Sequence, residues 1–85
     1  MKRFDYEIKD EMGVHARPAG LLVRKVSEFS SEITIETKCS RVSAKKLFGI
    51  MGLAAKKGDL LTFTIDGPDE ETAAAEVQKF LTENL

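Results

Sequence analysis

The chain has a single histidine, and its neighbours make it the first candidate for chemistry. It lies in Gly13-Val14-His15-Ala16-Arg17-Pro18-Ala19-Gly20. Gly13 allows a tight turn ahead of a helix. Pro18 follows His15 by three residues, which fits a first helical turn, where its missing N–H has no intrahelical partner to lose. His15 is thereby expected at the N-cap or just inside it, beside the free N–H groups of that turn. Such a helix start attracts anions through hydrogen bonds and through the helix dipole. Arg17 adds a planar guanidinium whose fork matches phosphate oxygens. A neutral imidazole is a nucleophile able to carry a phosphoryl group covalently, and the positive end of a helix favours the neutral ring. Phosphoryl carriage is the chemistry these parts suit. Taken alone, the same residues also describe an ordinary surface histidine beside a solvated arginine.

A second segment stands out through excess apolarity. Leu47, Phe48, Ile50, Met51 and Leu53 cannot all face inward on a helix of about two turns. Some of Leu47, Phe48 and Met51 are expected at the surface, where a clustered apolar patch marks a partner site, unless neighbouring elements cover the helix. Gly49 and Gly52 leave room for another surface to approach. Arg17, Arg24, Lys25, Lys45 and Lys46 fall in or near the two segments, whereas acidic residues dominate 66–76. A basic face meeting an acidic partner and a merely solvated surface both follow from that distribution.

The elements that must position these residues are legible from periodicity. Phe4, Tyr6 and Ile8 alternate with Asp5, Glu7 and Lys9, predicting a half-buried strand over 4–8. Residues 10–14 form a loop into the first helix, expected over 16–28 with Ala19, Leu22, Val23 and Val26 as its buried stripe. Arg17, Gly20, Leu21 and Arg24 lie on the other face, where Gly20 weakens the helix but flattens its surface. Ile33 and Ile35 mark a second strand, Val42 and Ala44 a third, with 38–40 as the turn between them. A short second helix is expected over 46–53. Lys56-Lys57-Gly58-Asp59 is a turn, and Leu61, Phe63 and Ile65 define a fourth strand. Gly67-Pro68 ends it. Asp69 suits an N-cap, with Glu70 and Glu71 at the positive end of a third helix reaching about residue 83. Its stripe is Ala73, Ala74, Val77, Phe80 and Leu81.

Eighty-five residues make one domain, 1–85, too short for two cores. Thirteen basic and fourteen acidic residues leave a net charge of −1, with no global drive toward nucleic acid or membrane. Cys39 is alone, which excludes an intramolecular disulfide and a thiolate metal cluster; it reads as an ordinary turn residue. The first residues lack the apolar core of a signal peptide. No apolar run approaches the roughly twenty residues of a membrane span, so a cytoplasmic protein is expected. Alternating strands bury one face only, and three helices can cover it, giving a two-layer α+β sandwich.

Gly13-Val14-His15-Ala16-Arg17-Pro18-Ala19-Gly20 resembles the active-site motif of the HPr family, histidine-containing phosphocarriers of the bacterial sugar phosphotransferase system. Lys45-Lys46-Leu47-Phe48-Gly49-Ile50-Met51-Gly52-Leu53 resembles the family's second signature at the expected distance. Lys57-Gly58-Asp59 and Asp66-Gly67-Pro68-Asp69-Glu70 resemble later landmarks, so the likeness spans essentially the whole chain. It implies an open-faced sandwich in which the first strand neighbours the fourth, then the second and third, all antiparallel, with the helices on one face. It implies that His15 is phosphorylated, at its pros nitrogen, by phosphorylated enzyme I, which takes the group from phosphoenolpyruvate. IIA domains of sugar permeases would then receive it. Arg17 and the N–H groups of Ala16 and Arg17 would steady the group. Gly20, Leu21, Arg24, Leu47, Phe48 and Met51 would meet partners. A transfer component of this kind needs no metal or organic cofactor, is not an independent catalyst, and acts as a monomer. One departure is Lys46, which stands where the family usually carries a regulatory serine.

Two other readings compete. A regulatory binding module on the same fold would act by contact alone, but HPr-like regulators of that kind typically lack the histidine. A nucleic-acid-binding sheet fits poorly, because the net charge is negative and no exposed aromatics interleave with basic residues.

Overall fold

The computed structural model describes residues 1–85. The elements are β1 (Lys2–Glu7), α1 (Ala16–Val26), β2 (Glu32–Glu36), β3 (Arg41–Ser43), α2 (Leu47–Gly52), β4 (Leu60–Asp66) and α3 (Glu70–Asn84). The strands form one antiparallel sheet in the order β1-β4-β2-β3. Alternation decides its two faces. On β4, Leu61, Phe63 and Ile65 are buried while Leu60 and Asp66 are exposed. Ile33 and Ile35 of β2 join the inward face, and Phe4 of β1 stacks on its cross-strand partner Phe63 at 5.1 Å between ring centroids.

Each helix covers that face with its own stripe: Ala19, Leu22 and Val26 from α1, Ile50 from α2, and Ala73, Ala74, Val77 and Leu81 from α3. All eighteen buried apolar residues belong to a single cluster. Each fully buried leucine, isoleucine or phenylalanine contributes roughly 1.5–3 kcal/mol. The Tyr6 hydroxyl donates to the Leu81 carbonyl at 3.0 Å and ties α3 to β1.

Several boundaries differ from the periodic reading. Helix α1 stops at Val26, because Ser27 caps it and its hydroxyl donates to the Val23 carbonyl at 2.7 Å. Val23 is only half-buried. Lys46 is the extended N-cap of α2 rather than its first residue. Ile8 and Ala44 lie just outside their strands, yet each continues the ladder: the Ile8 N–H donates to the Asp59 carbonyl and the Ala44 N–H to that of Ile33.

Asp69 precedes α3 as expected, but its side chain does not cap that helix. It reaches across to the turn after α1. There its carboxylate accepts the Ser31 hydroxyl, the Ser30 N–H at 2.9 Å and the Ser31 N–H at 2.9 Å. Ser31 is fully buried, so this carboxylate satisfies a group that would otherwise be stranded. The Ser31 hydroxyl foremost, then the Ser30 N–H, hold the Asp69 carboxyl down to about 2 from 3.8. A depressed acid stabilises the fold fully above its unfolded value and loses that contribution as pH falls through its folded one. Chemical denaturation from pH 7 to pH 2 should therefore show stability falling below about pH 4 and still falling near pH 2. Asp69→Asn should be less stable at neutral pH and flatter in acid; parallel curves for the two proteins would remove Asp69 from this role.

Candidate functional site

The site begins with a turn. The Asp10 carboxylate accepts the Met12 N–H at 2.8 Å, and its carbonyl accepts the Gly13 N–H at 3.0 Å. A Leu85 oxygen takes the N–H groups of Lys9 and Asp10, pinning the turn to the end of α3. Gly13 then adopts φ +66, and a Cβ there would lie 2.8 Å from the Lys56 Cα and against the Ala55 carbonyl. That closeness lets the next N–H, of Val14, donate to the Ala55 carbonyl at 3.0 Å. Ala54, just before, has φ 51, a left-handed conformation that turns the chain after α2 and delivers that carbonyl. Gly13→Ala should cost about 2 kcal/mol or more, from the left-handed backbone plus the clash. A denaturation midpoint within error of the parent would show that the loop yields freely.

With the loop so held, His15 is the N-cap of α1 in extended conformation, and its side chain caps nothing. The Ala19 N–H is the first to find a partner, the His15 carbonyl at 3.0 Å. Pro18 has no N–H, and those of Ala16 and Arg17 have no acceptor within the protein. Arg17 is exposed and joins no ion pair. The half-buried His15 ring opens on a cleft of about 230 Å³ shared with Arg17, Pro18 and Leu21 on one side and Asp10, Glu83 and Asn84 on the other. Sequence reasoning missed those last three. Nothing local links the end of α3 to His15; only the sheet order brings them together.

The second segment lies beside the first, because α1 and α2 pack against each other. Phe48 is 84% exposed, and Leu21 and Met51 are each 38% exposed. Leu47 is half-buried and packs on the core, so Phe48 and Met51 are the members of the expected trio at the surface. Two of the five cations near the site are engaged within the fold. Lys25 pairs with Glu76 at 2.9 Å and Glu28 at 3.6 Å, and the Lys45 ammonium donates to the Phe29 carbonyl at 2.7 Å. Arg17, Arg24 and Lys46 are left without a salt bridge. Gly20 costs α1 about 1 kcal/mol relative to alanine.

A larger open depression, about 660 Å³, lies between the β2–β3 turn and the start of β4, and exposed Cys39 is on its wall. It mixes Arg3 and Lys38 with Glu36 and Asp59 and shares no residue with the His15 cleft. No group of His, Cys, Asp and Glu is placed to hold a metal ion.

An antiparallel β1-β4-β2-β3 sheet under three helices, with the first helix opening on a histidine, defines an HPr-like α+β sandwich. The family model described as the PTS HPr component phosphorylation site matches residues 2–83, and the chain belongs to the HPr family of phosphotransferase-system phosphocarriers. The phosphocarrier protein HPr of Lysinibacillus sphaericus is 39% identical over 83 residues, covering 98% of this chain and 94% of its own. The crystal structure of HPr-C-His from Thermoanaerobacter tengcongensis superposes with TM-score 0.93 at 38% identity, covering 99% of this chain and 94% of its own. Crh, the catabolite-repression protein of Bacillus subtilis, superposes with TM-score 0.78 at 31% identity, covering 94% of this chain and 92% of its own. That structure is an intertwined dimer with a swapped domain.

Proposed function

We propose that this chain relays phosphoryl groups on His15, from phosphorylated enzyme I to IIA domains of sugar permeases. One observation carries the reading: His15 caps a helix whose Ala16 and Arg17 N–H groups have no acceptor, beside an Arg17 with no ion pair. These are three donors waiting for an anion at one ring. In the transfer, a ring nitrogen of His15 forms a bond to phosphorus as phosphorus leaves the donor. The phosphoryl oxygens then turn toward the two N–H groups and the guanidinium, which stabilise charge by position rather than by proton transfer. The pros nitrogen is the one the family resemblance implies.

The partners dock on the exposed face around the ring, through Gly20, Leu21 and Arg24 of α1 and Leu47, Phe48 and Met51 of α2. The whole chain acts as one carrier domain, a cytoplasmic monomer with no metal or cofactor of its own. No helix is long and apolar enough to cross a membrane. The likeness to Crh favours a second reading, a regulator acting by contact, but such regulators typically lack the histidine that this chain retains.

Incubation with phosphoenolpyruvate and enzyme I, followed by intact mass measurement, should add one phosphate that is acid-labile and alkali-stable. His15→Ala should lose it and stay folded. Arg17→Lys keeps the charge without the planar fork, so transfer should slow in both directions while thermal stability barely moves. A phosphate on His15→Ala, or equal rates for Arg17→Lys and the parent, would refute the respective role.

Lys46 bears on regulation. It is the exposed N-cap of α2, where a phosphoserine would find the positive end of the dipole. Lysine has no hydroxyl to modify and places a fixed positive charge there. Exposed to the family's serine kinase with ATP, the parent should gain no mass. Lys46→Ser should gain one phosphate and then accept more slowly from enzyme I. An ATP-dependent phosphate on the parent would overturn this.

A further inference from the structure

The cleft at His15 has two walls of opposite character. One is the helix start, with Arg17 and the free N–H groups of Ala16 and Arg17. The other carries two carboxylates, Asp10 and Glu83. Asp10 is fixed by its surroundings. A Leu85 oxygen accepts its N–H at 2.8 Å, and its own carboxylate accepts the Met12 N–H at 2.8 Å. Glu83 has no such reason for its place. It lies in the last turn of α3, a turn with no basic residue, where the helix dipole disfavours an anion. It is exposed and joins no salt bridge. No ion pair in the fold offsets that local cost.

We propose that Glu83, aided by Asp10, keeps a phosphoryl group on His15 transferable: its carboxylate raises the energy of the loaded state that Arg17 and the helix start would otherwise hold too firmly. This rests on the relay reading. A phosphoryl group on the ring is an anion between the two walls. Arg17 and the N–H groups attract it, while Glu83, Asp10 and the negative end of α3 repel it. Attraction alone stabilises the loaded state as much as the departing group and does not speed discharge. In discharge the bond from phosphorus to the ring nitrogen breaks and its electron pair returns to the ring. A bond from phosphorus to the acceptor's nucleophile forms. Glu83 takes no proton in that step and acts through charge.

The test is the equilibrium in which phosphorylated enzyme I and this chain exchange the phosphoryl group. Its constant compares separated proteins, so it is blind to how they dock. Charges facing one another across a solvent-filled cleft change an equilibrium by about threefold to tenfold. Glu83→Gln should move it toward the loaded chain by that factor, Asp10→Asn in the same direction, and the double variant further. The shift should shrink in about 1 M salt, where fields are screened within about 3 Å. Glu83→Gln should melt no lower than the parent, because an anion leaves a helix C-terminus. Loaded from phosphoramidate with no partner present, it should keep its phosphate about threefold longer than the parent. Glu36→Gln removes an exposed carboxylate of β2, outside the cleft, and controls for net charge. A constant for Glu83→Gln within about twofold of the parent would overturn the inference and leave the relay reading intact. A shift toward the unloaded chain, or an equal shift from Glu36→Gln, would also overturn it. If enzyme I does not load the parent, the relay reading fails. The partner-free half-life then decides the charge effect, and equal half-lives for parent and Glu83→Gln would overturn that as well.

Discussion

The hydrogen bond from the Val14 N–H to the Ala55 carbonyl joins everything that matters for the site. A single backbone bond contributes only about 0.5–1.5 kcal/mol net. Its weight here comes from position. It fastens the residue before the N-cap of α1 to the loop that leaves α2, so both helices are referred to one point. On one side Gly13 approaches a backbone too closely for any side chain. On the other, Ala54 accepts a left-handed conformation to present the carbonyl. Below them the Ile8 pairings with Gly58 and Asp59 extend the β1–β4 ladder into the same corner. His15, Leu21, Phe48 and Met51 share a surface because this corner ties α1 to the loop after α2, and the two helices pack against each other.

Helix α2 shows how little a functional element needs once it is anchored. Six residues cannot hold a helix alone in water. Ile50 supplies the buried contact, Leu47 a partial one, and Lys45 fixes the approach through the Phe29 carbonyl. The remaining apolar side chains are released to the surface. Phe48 is thus held outward by neighbours that face inward.

What could be read from the sequence was local. Alternation on β4 and the position of Pro18 after His15 each report on a few adjacent residues, and the strands and the N-cap follow from them. Periodicity carries α1 past its observed end at Val26, because a serine hydroxyl bonding back to Val23 leaves no periodic trace. Asp69 obeys a local capping preference in position, but a distant pair of serines claims its carboxylate. Lys25 and Lys45 look as free as Arg24 in the chain; only tertiary partners on α3 and after α1 engage them. Glu83 and Asn84 reach the His15 cleft through sheet order, which periodicity does not encode and the family resemblance does, whereas Asp10 arrives with the loop before His15.

Three unpaired cations beside exposed apolar side chains have a consequence in time rather than in affinity. Arg17, Arg24 and Lys46 project their field about 8 Å into physiological saline before ions screen it. A partner of opposite sign is turned toward the correct face before contact, and association can climb from about 10⁵–10⁶ toward 10⁸ per molar per second. On the proposed relay, an apolar contact confined to the surroundings of Phe48 would stay small, and such a complex would separate quickly. Fast arrival with fast departure gives a carrier high throughput, and it makes that throughput sensitive to ionic strength while the fold, held by an apolar core, is not.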